Sequence, residues 1–402
     1  TIHPLWPDVL VQGALAMMFE LEQMLAEISG MDAVTLTPAA GAQGEFVGIK
    51  MVRAYHEHNG NPRKTVLIPA SAHGTNPASS VLCGYRCVEV PVGRDGCMHL
   101  EDVAARLDHD VAAVMVTNPS TLGLFERDIR RIADAVHAVG ALVYIDGANM
   151  NALCGVSRPG DIGADVLHIN LHKTFSTPHG GGGPGAGPVV LSHRLAKYAP
   201  LPYVLVEDGQ ARLIETESEA RAKGAEPFGR LTAFHGQMGM FVRALSYMLS
   251  HGVDGMQTAS EDAVLNANYI RAGLRDVMSQ PFGDQACMHE VLFDDKFLKD
   301  TGVTTLDFAK AMIDEGYHPM TMYFPLVVHG AMLIEPTESE SKASLDGFIA
   351  VMRALVGAAK AGDVDRFTQA PRYTPRRRLD ETKAAREPRL RWTPPAPKAA
   401  AE

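Results

Sequence analysis

The stretch His168-Ile169-Asn170-Leu171-His172-Lys173-Thr174-Phe175-Ser176 runs into Thr177-Pro178-His179, the glycine run from Gly180 to Gly183, and Pro184-Gly185-Ala186-Gly187-Pro188. The apolar, β-branched residues 166–171 read as a strand, and the backbone beyond the lysine is too flexible to continue as helix or strand. Lys173 is therefore expected just past a strand end. Upstream, Val143-Tyr144-Ile145-Asp146-Gly147-Ala148-Asn149 places one acidic residue at the end of a second buried-strand pattern. Each residue also has an ordinary reading. A lone loop lysine is usually a solvated charge, and an aspartate before glycine is commonly a turn or cap residue. Gly180, Gly182 and Gly185 match G-x-G-x-x-G formally, but residues 188–191 read as a strand rather than a helix, so no nicotinamide site is expected. His168 and His172 are four apart like zinc-binding helix histidines, yet they lie on a strand pattern with no glutamate after His168; no metal is expected.

Working outward, strand patterns fall at residues 65–69, 86–91, 112–116, 142–145, 166–170 and 188–192, with helical patterns at 76–83, 100–107 and 127–139. Alternation of helices with continuous apolar strands predicts a mainly parallel sheet covered on both faces. Ligands of such sheets bind beyond the carboxyl ends of the strands, where Thr117, Asp146 and Lys173 are expected. Amphipathic helices are expected over 10–28, 233–249 and 262–278, and a smaller α+β unit over 285–336. Residues 366–402 hold ten Lys/Arg against four Asp/Glu, with repeated prolines, and read as a mobile tail. The division expected is a helical segment at 1–30, a large domain at 31–250, a small domain at 251–361 and the tail at 362–402.

The chain of 402 residues, 46% hydrophobic and 21% charged, is long enough to bury a large core. Its net charge of −10 argues against general nucleic-acid binding, and no apolar run approaches a membrane span. Five cysteines without a C-x-x-C pair fit a reducing compartment, and with no secretory pattern a cytoplasmic location is expected. Thr1 stands where a methionine would open a complete chain, as expected of a fragment or processed product.

An aspartate at one strand end and a lysine past the next resemble the pairing in enzymes that hold pyridoxal phosphate (PLP), where the lysine carries it as a Schiff base and the carboxylate pairs with the pyridinium nitrogen. Two further stretches bear on it. Thr37-Pro38-Ala39-Ala40-Gly41-Ala42-Gln43-Gly44-Glu45 leads into a helix whose small first residues let backbone N–H groups approach a phosphate. Ser71-Ala72-His73-Gly74-Thr75-Asn76-Pro77 follows a strand, with Asn76 as N-cap and Pro77 at the first helical position. His73 is left over: it either lies flat on a pyridine ring or is a satisfied loop histidine.

These motifs, with Thr117-Asn118-Pro119-Ser120-Thr121, Asn149-Met150-Asn151-Ala152 after Ala148, and Glu335-Pro336-Thr337-Glu338-Ser339-Glu340, occur in an order that closely resembles the P-protein family of the glycine cleavage system. The resemblance spans about residues 2–350 and corresponds to the family's C-terminal half, subunit 2 of two-subunit forms. It implies an α/β protein of PLP fold type I (aspartate-aminotransferase-like), with a smaller C-terminal α+β domain. It also implies roles: Lys173 as Schiff-base lysine, Asp146 as pyridinium partner and His73 stacked on the ring. Ala148 would lie on the opposite face, Thr117 near the phenolic oxygen, His172 beside lysine and phosphate, and Ala40, Gly41 and Gln43 around the phosphate. The implied reaction is decarboxylation of glycine with transfer of the aminomethyl group to the lipoyl arm of H-protein, in a heterotetramer-like assembly with P-protein subunit 1.

Two departures stand out. The family carries a Gly-Ser-Cys-Thr-Met-Lys segment before Ile2-His3-Pro4 that this sequence does not show, and the Arg/Pro-rich tail is not specified by the family pattern. The alternatives are another fold-type-I PLP enzyme, such as an aminotransferase or cysteine desulfurase, and a catalytically silent scaffold subunit.

Overall fold

The computed structural model describes residue 3, residues 5–177 and residues 183–394 of the chain. Residues 178–182, and with them most of the glycine run, lie outside the described residues. The first elements are helix α1 (Gln12–Ser29), strand β1 (Ala33–Thr35) and helix α2 (Gly41–His58). Strands and helices then alternate: β2 (Thr65–Pro69), α3 (Thr75–Leu82), β3 (Arg86–Val90), α4 (Leu100–Ala104), β4 (Val111–Thr117), α5 (Ile129–Ala138), β5 (Leu142–Gly147) and β6 (Val166–Ile169). One helical turn, α6 (Leu171–Thr174), precedes β7 (Val189–Leu191). The sheet is ordered β1-β7-β6-β5-β4-β2-β3. β3, β2, β4, β5 and β6 are parallel, while β7 is antiparallel to β6 and β1 to β7.

Every residue of β4 and β5 is buried, as a parallel strand under helices on both faces requires, and this is why the sequence shows unbroken apolar runs there. Alternate residues serve opposite faces. Val114, Val116, Val143 and Ile145 pack with Ile129, Ile132 and Val136 of α5. Ala113, Met115, Leu142 and Tyr144 pack with Val47, Ile49, Met51 and Val52 of α2. α2 lies so close to the sheet that a Cβ on Gly48 would overlap the Tyr144 ring and come within 2.8 Å of Val166 Cγ1. Gly48→Ala would gain about 1 kcal/mol of helix propensity and lose about 1–3 kcal/mol to overpacking. The Tyr144 hydroxyl is held 2.8 Å from His168 Nδ1, so the ring cannot swing aside without breaking that bond. Net destabilisation is expected, read as a lower urea midpoint with unchanged slope.

The sequence pattern misses β1 and the hairpin of β8 (Tyr203–Glu207) and β9 (Gln210–Ile214). The Gln12 amide pairs with β9 like a strand residue, donating to Ala211 O at 2.7 Å and accepting from Ala211 N–H at 3.0 Å. α1 buries Leu15, Met18, Leu21 and Leu25 in the main core, while Leu5, Val9 and Leu10 before it are exposed.

After α7 (Glu217–Ala222), α8 (Met238–Leu274) runs through the stretch expected to separate two helices. At Gly252 (φ 62°, ψ −172°) the backbone is non-helical and two helices meet at a kink, within two residues of the boundary expected at 250/251. The first half of α8 gives Phe241, Ala244 and Met248 to the main core. Its second half gives Ala267, Ile270 and Leu274 to a separate core. That second core lies among β10 (Val291–Phe293), α9 (Thr305–Asp314), β11 (Thr321–Met322), β12 (Met332–Ile334) and α10 (Lys342–Lys360), the strands ordered β10-β12-β11 and antiparallel.

The reading of everything beyond residue 362 as mobile needs correction for its first part. α11 (Val364–Thr368) buries Phe367, and Ala370 is also fully buried. Arg378 donates to the carbonyls of Phe367 and Ala370, both at 2.8 Å, and lies 2.7 Å from Asp307. The basic side chain here ties the chain to α9 instead of remaining solvated. A last helix, α12 (Glu381–Arg386), buries none of its residues. Among the described residues no helix is long and apolar enough to cross a membrane.

Candidate active site

The carboxyl ends of β2, β4, β5 and β6 open on one edge of the sheet, where the strand order reverses around β2. A cavity of about 300 Å³ lies there, lined by Ala40, Gly41, His73, Thr117, Asp146, Ala148, His172 and Lys173. Eight of the nine residues singled out from the sequence are thus brought together. Gln43, the ninth, stands one step back: its Oε1 accepts from Ala39 N–H at 2.7 Å and fixes the turn carrying Ala40 and Gly41.

Asp146 ends β5 almost fully buried, and every bond it makes stabilises a charge. Oδ1 accepts Ala148 N–H at 2.9 Å and lies 3.2 Å from His168 Nε2, while Oδ2 accepts Asn76 Nδ2 at 2.9 Å. Burial alone would raise this carboxyl; the His168 ring, the Asn76 amide, the Ala148 N–H and the Lys173 charge together hold it below the usual carboxylate range. His168 is itself fixed from behind by the Tyr144 hydroxyl at 2.8 Å. With Nε2 protonated, it satisfies both neighbours.

The network extends to His73. Asn76 Nδ2 also donates to Glu45 Oε2 at 2.9 Å, Thr75 Oγ1 donates to Glu45 Oε1 at 2.8 Å, and His73 Nδ1 lies 2.7 Å from Thr75 Oγ1. Burial raises the Glu45 carboxyl, opposed by His168 and furthered by Asp146. Glu45, Asp146 and His168 bring ligand-type atoms within 4.8 Å of one another. The Asn76 amide bridges the two carboxylates where a cation would sit, so hydrogen bonds rather than a metal account for this cluster. Asn76 is not the helix cap the sequence suggested: α3 begins at Thr75 with Gly74 as N-cap, and the Asn76 side chain turns inward to the acids.

Opposite Asp146, α2 begins at the cavity with Ala40 as an extended N-cap and no side-chain cap. Its first-turn N–H groups and helix dipole suit an anion there. A Cβ on Gly41 would meet the Asn170 amide at 2.5 Å, so only glycine lets the two approach. His172 Nδ1 accepts Ala186 N–H at 3.3 Å, and its Nε2 lies 3.3 Å from Asn170 Nδ2. Lys173 sits on α6, exposed into the cavity. Buried Thr117 Oγ1, Asn76 Oδ1 and Asn170 Oδ1 have no hydrogen-bond partner among the described residues, an arrangement that fits a polar ligand.

The sequence reading missed the contribution of the second unit. Phe324 lies edge-on to His73, with ring centroids 5.6 Å apart, and Glu290 and Leu333 also line the cavity. None has a local pattern that marks it; only the packing of the two units places them there.

This sheet order, with a lysine past β6 and an aspartate ending β5, is the architecture of PLP enzymes of fold type I. The chain matches a solved glycine decarboxylase (P-protein) of the glycine cleavage system in inhibitor-bound form with a TM-score of 0.73, at 22% identity over 88% of this chain and 78% of that one. An aspartate aminotransferase from Thermus thermophilus matches with a TM-score of 0.64, at 14% identity over 89% of this chain and 94% of that one. The family model described as the glycine cleavage system P-protein matches residues 3–208, and that of the glycine dehydrogenase C-terminal domain matches residues 259–372. A probable glycine dehydrogenase (decarboxylating) subunit 2 of Caulobacter vibrioides is 63% identical over 98% of this chain and 75% of its own length. One from Chloroherpeton thalassium is 47% identical over 98% of this chain and 79% of its own length. The chain belongs to the glycine dehydrogenase (decarboxylating) family, the P-proteins of the glycine cleavage system, as a subunit 2.

Proposed function

We propose that this chain holds PLP on Lys173 and, with P-protein subunit 1, decarboxylates glycine and passes the aminomethyl group to the lipoyl arm of H-protein. The observation that carries the reading is the pairing across one cavity of a charge-stabilised aspartate and a lysine. When bound, PLP supplies a sink for the electron pair released as the Cα–carboxylate bond breaks. Asp146, held ionised, would keep the proton on the ring nitrogen. The α2 N-terminus, with Ala40, Gly41 and His172, would hold the phosphate, and Gln43 would brace that turn. Thr117 Oγ1, otherwise unpartnered, would meet the phenolic oxygen, His73 would cover one ring face, and the small side chain of Ala148 would leave room on the other.

No arginine lines the cavity among the described residues, so no guanidinium neutralises a substrate carboxylate there. That supports loss of the carboxylate over its retention. No cysteine lines it either, and burial pushes the Cys83 and Cys97 thiols up to about 11 and those of Cys154 and Cys287 up to about 12, which disfavours a desulfurase. The test is exchange of labelled bicarbonate into the glycine carboxyl by the chain joined with subunit 1. Exchange that depends on both PLP and lipoylated H-protein is expected. Exchange with another amino acid in place of glycine, or none at all, would reject the reading.

A further inference from the structure

The acids facing Lys173 have no part in the reading above. Glu290, just before β10, lines the catalytic cavity and also a second cavity of about 480 Å³, so it stands where the two meet. Leu333 is shared as well, and Ile270, Met320, Ile334 and Phe348 make the second cavity largely apolar. Glu335, just past β12, is 39% exposed in that second cavity and accepts Asn151 Nδ2 at 3.1 Å. Between the acids lies His289, 1% exposed, its Nε2 3.9 Å from an oxygen of each. Among the described residues neither of its ring nitrogens has a hydrogen-bond partner, and burial pushes the ring down to about 3, so it brings no charge.

Among the described residues, the charged groups facing Glu290 are therefore Glu335 and Lys173. Two ionised carboxylates in one enclosed place repel, and a single proton between them is the favoured state. Burial first, then Glu335, push Glu290 up to about 8 against the pull of Lys173. The proton this pair shares is thus held more strongly than on an ordinary carboxyl, with Glu290 raised by burial and by Glu335.

The proposed reaction needs such a proton. The Cα–carboxylate bond of glycine breaks, and its electron pair ends in a new bond from carbon to one sulfur of the lipoyl disulfide. The S–S bond breaks with its pair on the other sulfur. Carbon is oxidised by two electrons, the disulfide is reduced by two, carbon dioxide leaves, and the departing thiolate takes up one proton. We propose that Glu290 is the catalytic acid that gives this proton to the lipoyl thiolate, and that Glu335 is the positioning residue that keeps it protonated and relays its replacement from solvent. The assignment rests on the reading of the reaction given above.

Glu290→Gln and Glu335→Gln, each loaded with PLP and joined with subunit 1, test it with oxidised lipoyl H-protein, the readout being glycine-dependent thiol formation. Glu290→Gln is expected to retain PLP and to lose about 10²–10⁴-fold in that rate. Because the protonated form acts, the wild-type rate should fall at a pH raised above the ordinary carboxyl range, and this limb should vanish in Glu290→Gln. In Glu335→Gln it should move to lower pH, since a repelling charge has gone. A second readout needs no cofactor. The infrared spectrum of the unloaded chain should contain a protonated-carboxyl component at pH 7 that Glu290→Gln lacks. A wild-type rate and pH limb in Glu290→Gln, or an unchanged infrared spectrum, would overturn the proposal alone. A wild-type enzyme that forms no thiol from glycine would overturn the function on which it rests.

Discussion

Lys173→Ala is expected to fold normally, to retain no PLP after borohydride treatment and denaturation, and to lose exchange activity by about 10²–10⁴-fold or more. Lys173 is exposed on a single turn of helix, so its removal leaves no cavity and deletes no core contact. The loss therefore reports chemistry and not folding. In the wild type, reduction should fix the cofactor to the peptide that contains Lys173, as read by mass spectrometry. A reduced adduct on another lysine would sink the assignment.

Asp146→Asn is the next largest effect. The substitution keeps the shape but places an amide among groups chosen for a carboxylate: two donors, Ala148 N–H and Asn76 Nδ2, already point at its oxygens, with His168 Nε2 at 3.2 Å. The amide nitrogen introduced there must face one of these donors, and the charge that would hold the ring proton is gone. Exchange should fall by about two or more orders of magnitude while PLP still attaches covalently. An exchange rate equal to the wild type would remove Asp146 from the mechanism. The same carboxyl predicts a pH dependence of stability. Its folded-state value lies below the ordinary 3.8, so its contribution is present above that value and is lost as pH falls through the lowered one. Thermal unfolding of the cofactor-free chain should show this acid limb flattened in Asp146→Asn.

The sheet was legible because buried parallel strands leave unbroken apolar runs, and β2, β4 and β5 are bounded within a residue or two of their expected positions. β1 carries too few residues to show a pattern, and the β8–β9 hairpin alternates buried and exposed positions across a stretch rich in polar residues. At the site, Lys173 and Asp146 could be found because strand ends concentrate function. Asn76, Glu45 and His168 could not, because each has a common structural explanation in sequence and gains its meaning only from the polar contacts that join four separate elements. Glu290 and Phe324 are further from reach, since they lie far along the chain, beyond the large sheet, and reach the cavity of Lys173 only through the packing of the two units.

The most direct test of the central claim is a crystal structure of the chain joined with subunit 1 and loaded with PLP. Continuous density is expected from Lys173 Nζ to the cofactor, with the pyridine nitrogen at hydrogen-bond distance from the Asp146 carboxylate and the phosphate at the start of α2 beside Gly41 and His172. A cofactor bound elsewhere, or lying in this cavity with its ring nitrogen turned away from Asp146, would contradict it.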